Sequence, residues 1–322
     1  MSRGTLPETM TALRVHALGE PPRADRLPVP SPGADEMLVR LAATTIARHD
    51  LDVARGRLPG GQPLPYVPGL EGAGRVAALG DGVDAGRLPT GALVRVSGGG
   101  LGAMRPGTWA EYVVAPAGAV APVPEELDPA IAAACGSVSL TAWSAAIDLG
   151  GLQPGESLGV TGASGAVGSL VLQFAERHGA GRMVAWVRSP DRLGTVPPGT
   201  EVLIGDDAPA EPVDLLVDTV GGPHLERRLR SVRPGGRAVL LGYTAGTRVC
   251  FELPALLTAD VSLLPLNMRR RRPPPDLLSG LVEDFAAGRL RVATEVVELP
   301  ELDEAIARLE EGRAKGRVVL RW

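Results

Sequence analysis

The sequence predicts an α/β protein in which a β-barrel domain is followed by a doubly wound parallel sheet. Three observations carry this expectation. Up to about residue 127, short apolar strands are cut by Gly and Pro at regular spacing. From Asp128 onward, apolar strands alternate with helical periods. The turn between the first strand and the first long helix of that second stretch is rich in glycine. A chain of 322 residues, 44% of them hydrophobic, is long enough to bury two such cores.

In the first stretch, strands are expected at Thr11 to Ala17, Glu36 to Ala43, Gly74 to Leu79, Ala92 to Val96 and Trp109 to Val114. In the second, six strands complete a doubly wound sheet: Ser157 to Thr161, Met183 to Val187, Glu201 to Ile204, Asp214 to Val217, Arg237 to Leu241 and Val261 to Leu264. A helix from Val167 to His178 is closed by Gly179. The tract RRRRPPP, Arg269 to Pro275, reads as a solvated surface loop. After it come a helix bearing Leu277, Leu278, Leu281, Val282 and Phe285, then a strand. A helix bearing Leu302, Ala305, Ile306 and Leu309 and a last strand, Arg317 to Leu320, end the chain, and these elements are expected to return to the first domain. The expected bounds are therefore 1–127, 128–265 and 266–322.

Composition excludes several classes of function. The 33 Lys+Arg are outnumbered by 37 Asp+Glu, which leaves no basic field for a nucleic-acid backbone. The only cysteines, Cys135 and Cys250, have no C-x-x-C companion, which argues against a disulfide framework and for a reducing, cytoplasmic compartment. No stretch approaches the ~18 to 20 apolar residues of a membrane span, and MSRGTLPETM has no signal-peptide core, so no membrane partner is expected.

The clearest chemical signal is VTGASGAVGS, where glycines at 162, 165 and 168 follow a strand and open a helix. A dinucleotide pyrophosphate needs close backbone approach and N–H groups at a helix N-terminus. Gly162, Ala163, Ser164, Gly165, Ala166, Val167 and Gly168 are thus candidate cofactor-binding residues, with a purely structural tight turn as the alternative. At the end of the next strand an acidic residue would bind the ribose 2′-hydroxyl and repel a 2′-phosphate. The chain reads Arg188-Ser189-Pro190-Asp191-Arg192 instead. Arg188, Ser189 and Arg192 are therefore candidates for the 2′-phosphate and NADPH is the expected cofactor, the alternative being two surface arginines, one paired with Asp191. Val220 and Gly221 in one loop, and Gly242 and Tyr243 in another, follow the fourth and fifth strands, where the nicotinamide is expected. For Gly221 and Gly222 a plain tight turn is the alternative.

The segments PVPSPGADEMLVRLAATTIARHDLDVARG, PYVPGLEGAGRV, GTWAEYVV, LTAW, TGASGAVG, DTVGG, RPGGRAVLLG and GRAKGRVVL resemble, in order, the zinc-free quinone oxidoreductase branch of the medium-chain dehydrogenase/reductase superfamily. The likeness runs from about Met10 to the end. It implies a GroES-like catalytic domain split by an inserted Rossmann domain, an active-site cleft between them, a small-molecule substrate and a homodimer formed through the edge strand near Val261 to Leu266. Zinc-bearing relatives place a Cys at the position of Ala47 and a His within Pro68 to Glu71. Neither is present, and SGGGLGAMRPG stands where those relatives carry a Cys-rich lobe, so no metal is expected. Members of the branch often carry an Asn at the position of Ala47. By the same resemblance Arg48 lies near the pyrophosphate, Thr141 packs on the nicotinamide and Arg317 approaches the cofactor.

His49 corresponds to the hydroxyl of the alcohol dehydrogenase proton relay. It is a candidate proton donor, or else a surface or second-layer histidine. Tyr243 is a candidate substrate-facing hydroxyl, or a wall residue. The Tyr that enoyl-thioester reductases use after an R-x-G segment is absent from Arg55-Gly56-Arg57-Leu58-Pro59. Asp50 and Cys135 read as structural. The activity implied is hydride transfer from NADPH to a quinone or an α,β-unsaturated carbonyl. Alternatives are a tailoring reductase or dehydrogenase dedicated to one metabolite, motivated by Ala47 and the Leu266 to Arg272 run, and a cofactor-binding subunit without catalysis.

Overall fold

A computed structural model describes residues 6–58, 62–86, 88–189 and 196–322. The chain starts with a hairpin of β1 (Thr9–Arg14) and β2 (Arg23–Pro28), paired antiparallel from Thr9↔Pro28 to Arg14↔Arg23. Next come β3 (Glu36–Ile46), α1 (Arg48–Ala54), β4 (Glu71–Leu79), β5 (Leu93–Ser97), β6 (Tyr112–Pro116), β7 (Val120–Pro122) and α2 (Pro129–Ala134). Then follow α3 (Gly136–Trp143), β8 (Ser157–Thr161), α4 (Ala166–Arg177), β9 (Arg182–Val187), β10 (Glu201–Ile204) and β11 (Val213–Asp218). After α5 (Leu225–Leu229) the order is β12 (Val232–Leu240), α6 (Leu253–Ala259), β13 (Ser262–Pro265), α7 (Leu277–Ala286), β14 (Thr294–Val297), α8 (Leu302–Glu310) and β15 (Arg317–Arg321). Among the described residues no helix is long and apolar enough to cross a membrane.

Two units emerge, Met1–Gly136 with Val282–Arg289 and Thr294–Trp322, and Ser137–Leu281 with Leu290–Ala293. In the first unit the sheet order is β14-β15-β3-β4-β5-β7, with β6 also paired to β3. The chain's end is built into this sheet: β15 runs antiparallel to β3 from Val318↔Ile46 to Arg321↔Ala43. Alternate residues of β3 and its neighbours supply two cores, one around Leu38, Ile46, Trp109 and Val318, the other around Met37, Val39, Val94 and Val113.

In the second unit all strands are parallel, in the order β10-β9-β8-β11-β12-β13. β8 and β11 are central and buried, and Asp214 pins their starts by accepting from the Ser157 N–H at 2.8 Å and hydroxyl at 2.6 Å. α4 buries Leu170, Val171, Leu172 and Phe174, each contributing about 1.5–3 kcal/mol on transfer from water. It ends at Gly179, whose φ of +83° closes the helix without Cβ strain.

The doubly wound sheet agrees with expectation in strand number and nearly in bounds, and several elements differ. The first strand ends at Arg14 because the chain turns to pair with β2, whose sequence RADRLP is charged and exposed and gives no apolar alternation. α1 has no side-chain N-cap to announce it. β12 begins at Val232 rather than Arg237, with an irregular register opposite Val213 and Leu215. The first unit also extends to Gly136 instead of 127, because α2 packs its buried alanines on β3 and β4. Its return starts at Val282 rather than 266, within α7.

Candidate functional site

Three strand ends of the second unit interlock. Thr161, closing β8, donates its hydroxyl to Asp218 Oδ1 at 2.6 Å and accepts from Thr219 N at 3.0 Å, while Thr219 Oγ1 donates back to Thr161 O at 2.7 Å. Asp218 Oδ2 accepts from Gly221 N at 2.8 Å, and its backbone carbonyl accepts from Gly242 N at 3.1 Å. Burial raises the Asp218 carboxyl above its ordinary range, opposed by these hydrogen bonds. The loops after β8, β11 and β12 are thereby fixed side by side at the carboxyl edge of the sheet.

Glycine is required here by space. A Cβ on Gly168 would lie 2.3 Å from Gly162 O, and one on Gly242 would lie 1.8 Å from the Thr219 carbonyl carbon. Gly162 has φ of +61° and Gly221 of +65°, in the left-handed region. Gly165 is the N-cap of α4 and no side chain caps it, so the helix opens with its amide dipole toward the loop. Ala163 is buried, and its N–H donates to Trp186 O at 3.1 Å, which ties the glycine turn to the end of β9. Ser164, Ala166 and Val167 are half-buried along the same turn. A turn with no room for a Cβ at 168, facing an uncapped helix start, fits a dinucleotide pyrophosphate.

Past Trp186, Arg188 is exposed and Ser189 half-buried. Trp186 Nε1 donates to Asp207 O at 2.9 Å, and the Arg228 guanidinium stacks 5.0 Å from the Trp186 ring centroid, holding the end of β9 in place. Arg192 lies outside the described residues. On the other loops Val220 and Gly242 are half-buried and Tyr243 is 39% exposed. Thr141 is half-buried on α3, just before a π-helical turn in which Leu149 N donates to Ser144 O at 2.8 Å.

The remaining candidates belong to the first unit. Arg48 caps α8: its Nη2 donates to Leu309 O at 3.1 Å and Glu310 O at 2.9 Å. Its observed work is structural. His49, its neighbour, is exposed. Arg317 points inward, with Nη2 3.5 Å from Glu71 Oε1 and 3.4 Å from Thr45 Oγ1.

Sequence reasoning missed the buried charge cluster around Glu71. Its backbone carbonyl accepts from the hydroxyls of Thr44 at 3.0 Å and Thr108 at 2.9 Å, which fixes the start of β4. A Cβ on Gly136 would sit 3.3 Å from Glu71 Oε2 and 3.9 Å from Arg95 Nη1, so carboxylate and second guanidinium converge beside Gly136. Burial lowers the Arg95 pKa, and the Glu71 charge opposes this. Burial pushes the Cys135 thiol up to about 12, so it is neutral. Asp50, 4% exposed, accepts from Ala47 N at 3.1 Å, and burial pushes it up to about 7. Tyr66, whose hydroxyl is buried with no hydrogen-bond partner among the described residues, is raised by burial and by the Asp50 charge. An arginine inside the otherwise apolar strand LVRVS was the one sequence signal for this cluster.

Residues 33–125 match the model of the alcohol dehydrogenase GroES-like domain, and residues 200–320 match that of a zinc-binding dehydrogenase domain. The chain is 28% identical to an alcohol dehydrogenase of Geobacillus stearothermophilus across 89% of this chain and 91% of that one. It is 31% identical to prostaglandin reductase-3 of Bos taurus across 68% of this chain and 58% of that one. A solved NAD-dependent alcohol dehydrogenase matches with a TM-score of 0.84 and 28% identity, covering 97% of this chain and 100% of the other.

The second matched domain is described by zinc, which needs three protein ligands and an open position. Among the described residues no group of three or more His, Cys, Asp or Glu side chains is placed to hold a metal ion. Ala47 and Leu70 offer no ligand atom, and Glu71 lies 3.5 Å from the Arg317 guanidinium with Arg95 close by. These residues do not fit a divalent cation.

Proposed function

From the premise that the chain belongs to the medium-chain dehydrogenase/reductase superfamily, we propose that it is an NADPH-dependent oxidoreductase that passes hydride to a quinone or an α,β-unsaturated carbonyl without zinc. The observation that carries this reading is the set Ala47, Leu70, Arg95 and Arg317: apolar side chains where a metal would need donors, and cations beside the remaining carboxylate.

NADPH supplies the hydride when bound. The turn from Gly162 to Gly168 takes its pyrophosphate, Arg188 and Ser189 take the 2′-phosphate together with Arg192, and Val220, Gly221, Gly242, Tyr243 and Thr141 position the nicotinamide. With no Lewis acid to polarise a simple carbonyl, the acceptor must already be electrophilic, and the protein's contribution is orientation and proton supply. His49 is the proton donor of this reading, its exposure leaving it in exchange with solvent. The compartment that goes with it is the cytoplasm. So does a homodimer through the edge strand β13, which follows α6, where Leu253 (62%) and Leu257 (71%) are exposed. Light scattering is expected to give twice the chain mass; a monomer at every concentration removes the dimer.

A second reading, NAD-dependent alcohol oxidation, is favoured by the names of the alcohol dehydrogenase relatives and of the NAD-dependent structural neighbour. Initial rates against a panel of quinones and conjugated enones, with NADPH and NADH in parallel, separate the readings. Reduction of panel members with NADPH is expected. Turnover of simple alcohols with NAD+ alone supports the second reading, and cofactor binding with no turnover of any kind supports a non-catalytic subunit.

A further inference from the structure

Four consecutive arginines, Arg269 to Arg272, leave the carboxyl end of β13. Leu266 N donates to Leu240 O at 2.9 Å, so the run departs beside the end of β12, on the sheet edge where ligands of open α/β folds sit. The turn is a built one. The Asn267 side chain accepts from Arg269 N at 3.0 Å, Arg270 N donates to Asn267 O at 3.0 Å and Arg271 N to Met268 O at 3.2 Å. Arg272 folds back on it, donating to Arg269 O at 3.0 Å and Arg271 O at 2.9 Å, and Arg271 is anchored to Asp148 at 3.4 Å. Pro273 to Pro275 stiffen the exit.

Arg269 and Arg270 are exposed, and neither has a carboxylate within ion-pair distance among the described residues. Elsewhere in the unit Arg182, Arg227, Arg228, Arg230, Arg233 and Arg237 each have one. From Val261 to Pro275 the sequence contains no Asp or Glu. Holding like charges together on a pinned turn raises the local potential, and a bound anion relieves it. The guanidinium fork matches phosphate oxygens bidentately, and two unpaired forks match one doubly charged phosphate or a pyrophosphate. A nucleic-acid backbone asks for a longer basic track, which a chain of net charge −4 does not offer.

We propose that Arg269 and Arg270 form a phosphate-binding shelf for an arm of the acceptor substrate, so that the acceptor is a phosphate- or pyrophosphate-bearing carbonyl compound. The role of that ligand as acceptor rests on the reductase reading; the anion site itself does not. The test is calorimetric titration of the full chain, saturated with NADPH, with coenzyme A, with pantetheine, which lacks the phosphates, and with inorganic pyrophosphate. Coenzyme A is expected to bind about tenfold or more tighter than pantetheine, and R269A/R270A is expected to abolish that difference with unchanged NADPH affinity and melting temperature.

Equal binding of coenzyme A and pantetheine overturns the proposal, as does an unchanged difference in the double variant. Pyrophosphate binding as tightly as coenzyme A overturns the acceptor arm in favour of free phosphate, and tighter binding of a short DNA duplex overturns it in favour of a polyanion. If NADPH fails to bind, the cofactor reading falls, while the comparison between wild type and R269A/R270A still decides the shelf.

Discussion

Asp50 is charged only against the preference of its surroundings. It is buried beside Glu71, with the Ala47 N–H and the Arg317 charge as partial compensation, and its carboxyl sits at about 7. An unfolded Asp titrates near ~3.9. Between those values the folded chain keeps a proton that the unfolded chain releases, so Asp50 destabilises the fold progressively as pH rises through that window, fully above it. Asp50→Asn keeps an oxygen for the Ala47 N–H and loses the charge. It is expected to raise unfolding free energy by ~3 kcal/mol at pH 8 and to change it little near pH 4, as read from urea denaturation. Parallel wild-type and variant curves across that range contradict this account. The sequence presented Asp50 only as a structural residue; its neighbours Tyr66, Glu71 and Arg317 are distant in the chain and come together through β3, β4 and β15. Arg188 is exposed at the end of β9, where the proposed function gives it the cofactor's 2′-phosphate. Arg188→Ala is expected to weaken NADPH by about tenfold or more and NADH by less than about twofold, as measured by fluorescence titration. Equal loss for both places the 2′-phosphate elsewhere.

At the scale of elements, what was legible is what repeats locally. β8 and β10 have the predicted bounds, and α4 is within a residue of them, because apolar period and glycine punctuation act within a few positions. β2 was not legible because an exposed, charged strand exists only by pairing with β1. The glycine turn between β8 and α4 follows from local spacing, whereas the need for glycine at 242, in the loop after β12, is nonlocal, because a Cβ there would meet Thr219 of the loop after β11. Gly168→Ala tests this packing. A helical Gly→Ala gains about 0.5–1 kcal/mol of backbone entropy, whereas a Cβ 2.3 Å from Gly162 O forces a backbone shift costing about 1–3 kcal/mol or more. The expected result is net destabilisation with at least tenfold weaker NADPH binding. A variant at least as stable as wild type, with unchanged cofactor affinity, contradicts the close-packing role.

At the scale of the whole molecule, the first compact unit is assembled from Met1–Gly136, Val282–Arg289 and Thr294–Trp322. Its limits depend on where α2 packs and on β15 seating against β3, which are tertiary choices with no local signature. The absence of donor atoms at 47 and 70 was visible in the sequence, whereas the guanidinium groups of Arg95 and Arg317 beside Glu71 were not. Together they support the proposed hydride transfer without a metal. The most direct measurement is NADPH oxidation with a quinone acceptor by protein dialysed against a strong chelator, with bound zinc determined on the same sample. Less than about one zinc per ten chains and an undiminished rate are expected. A rate that vanishes on chelation and returns with stoichiometric zinc contradicts that proposal.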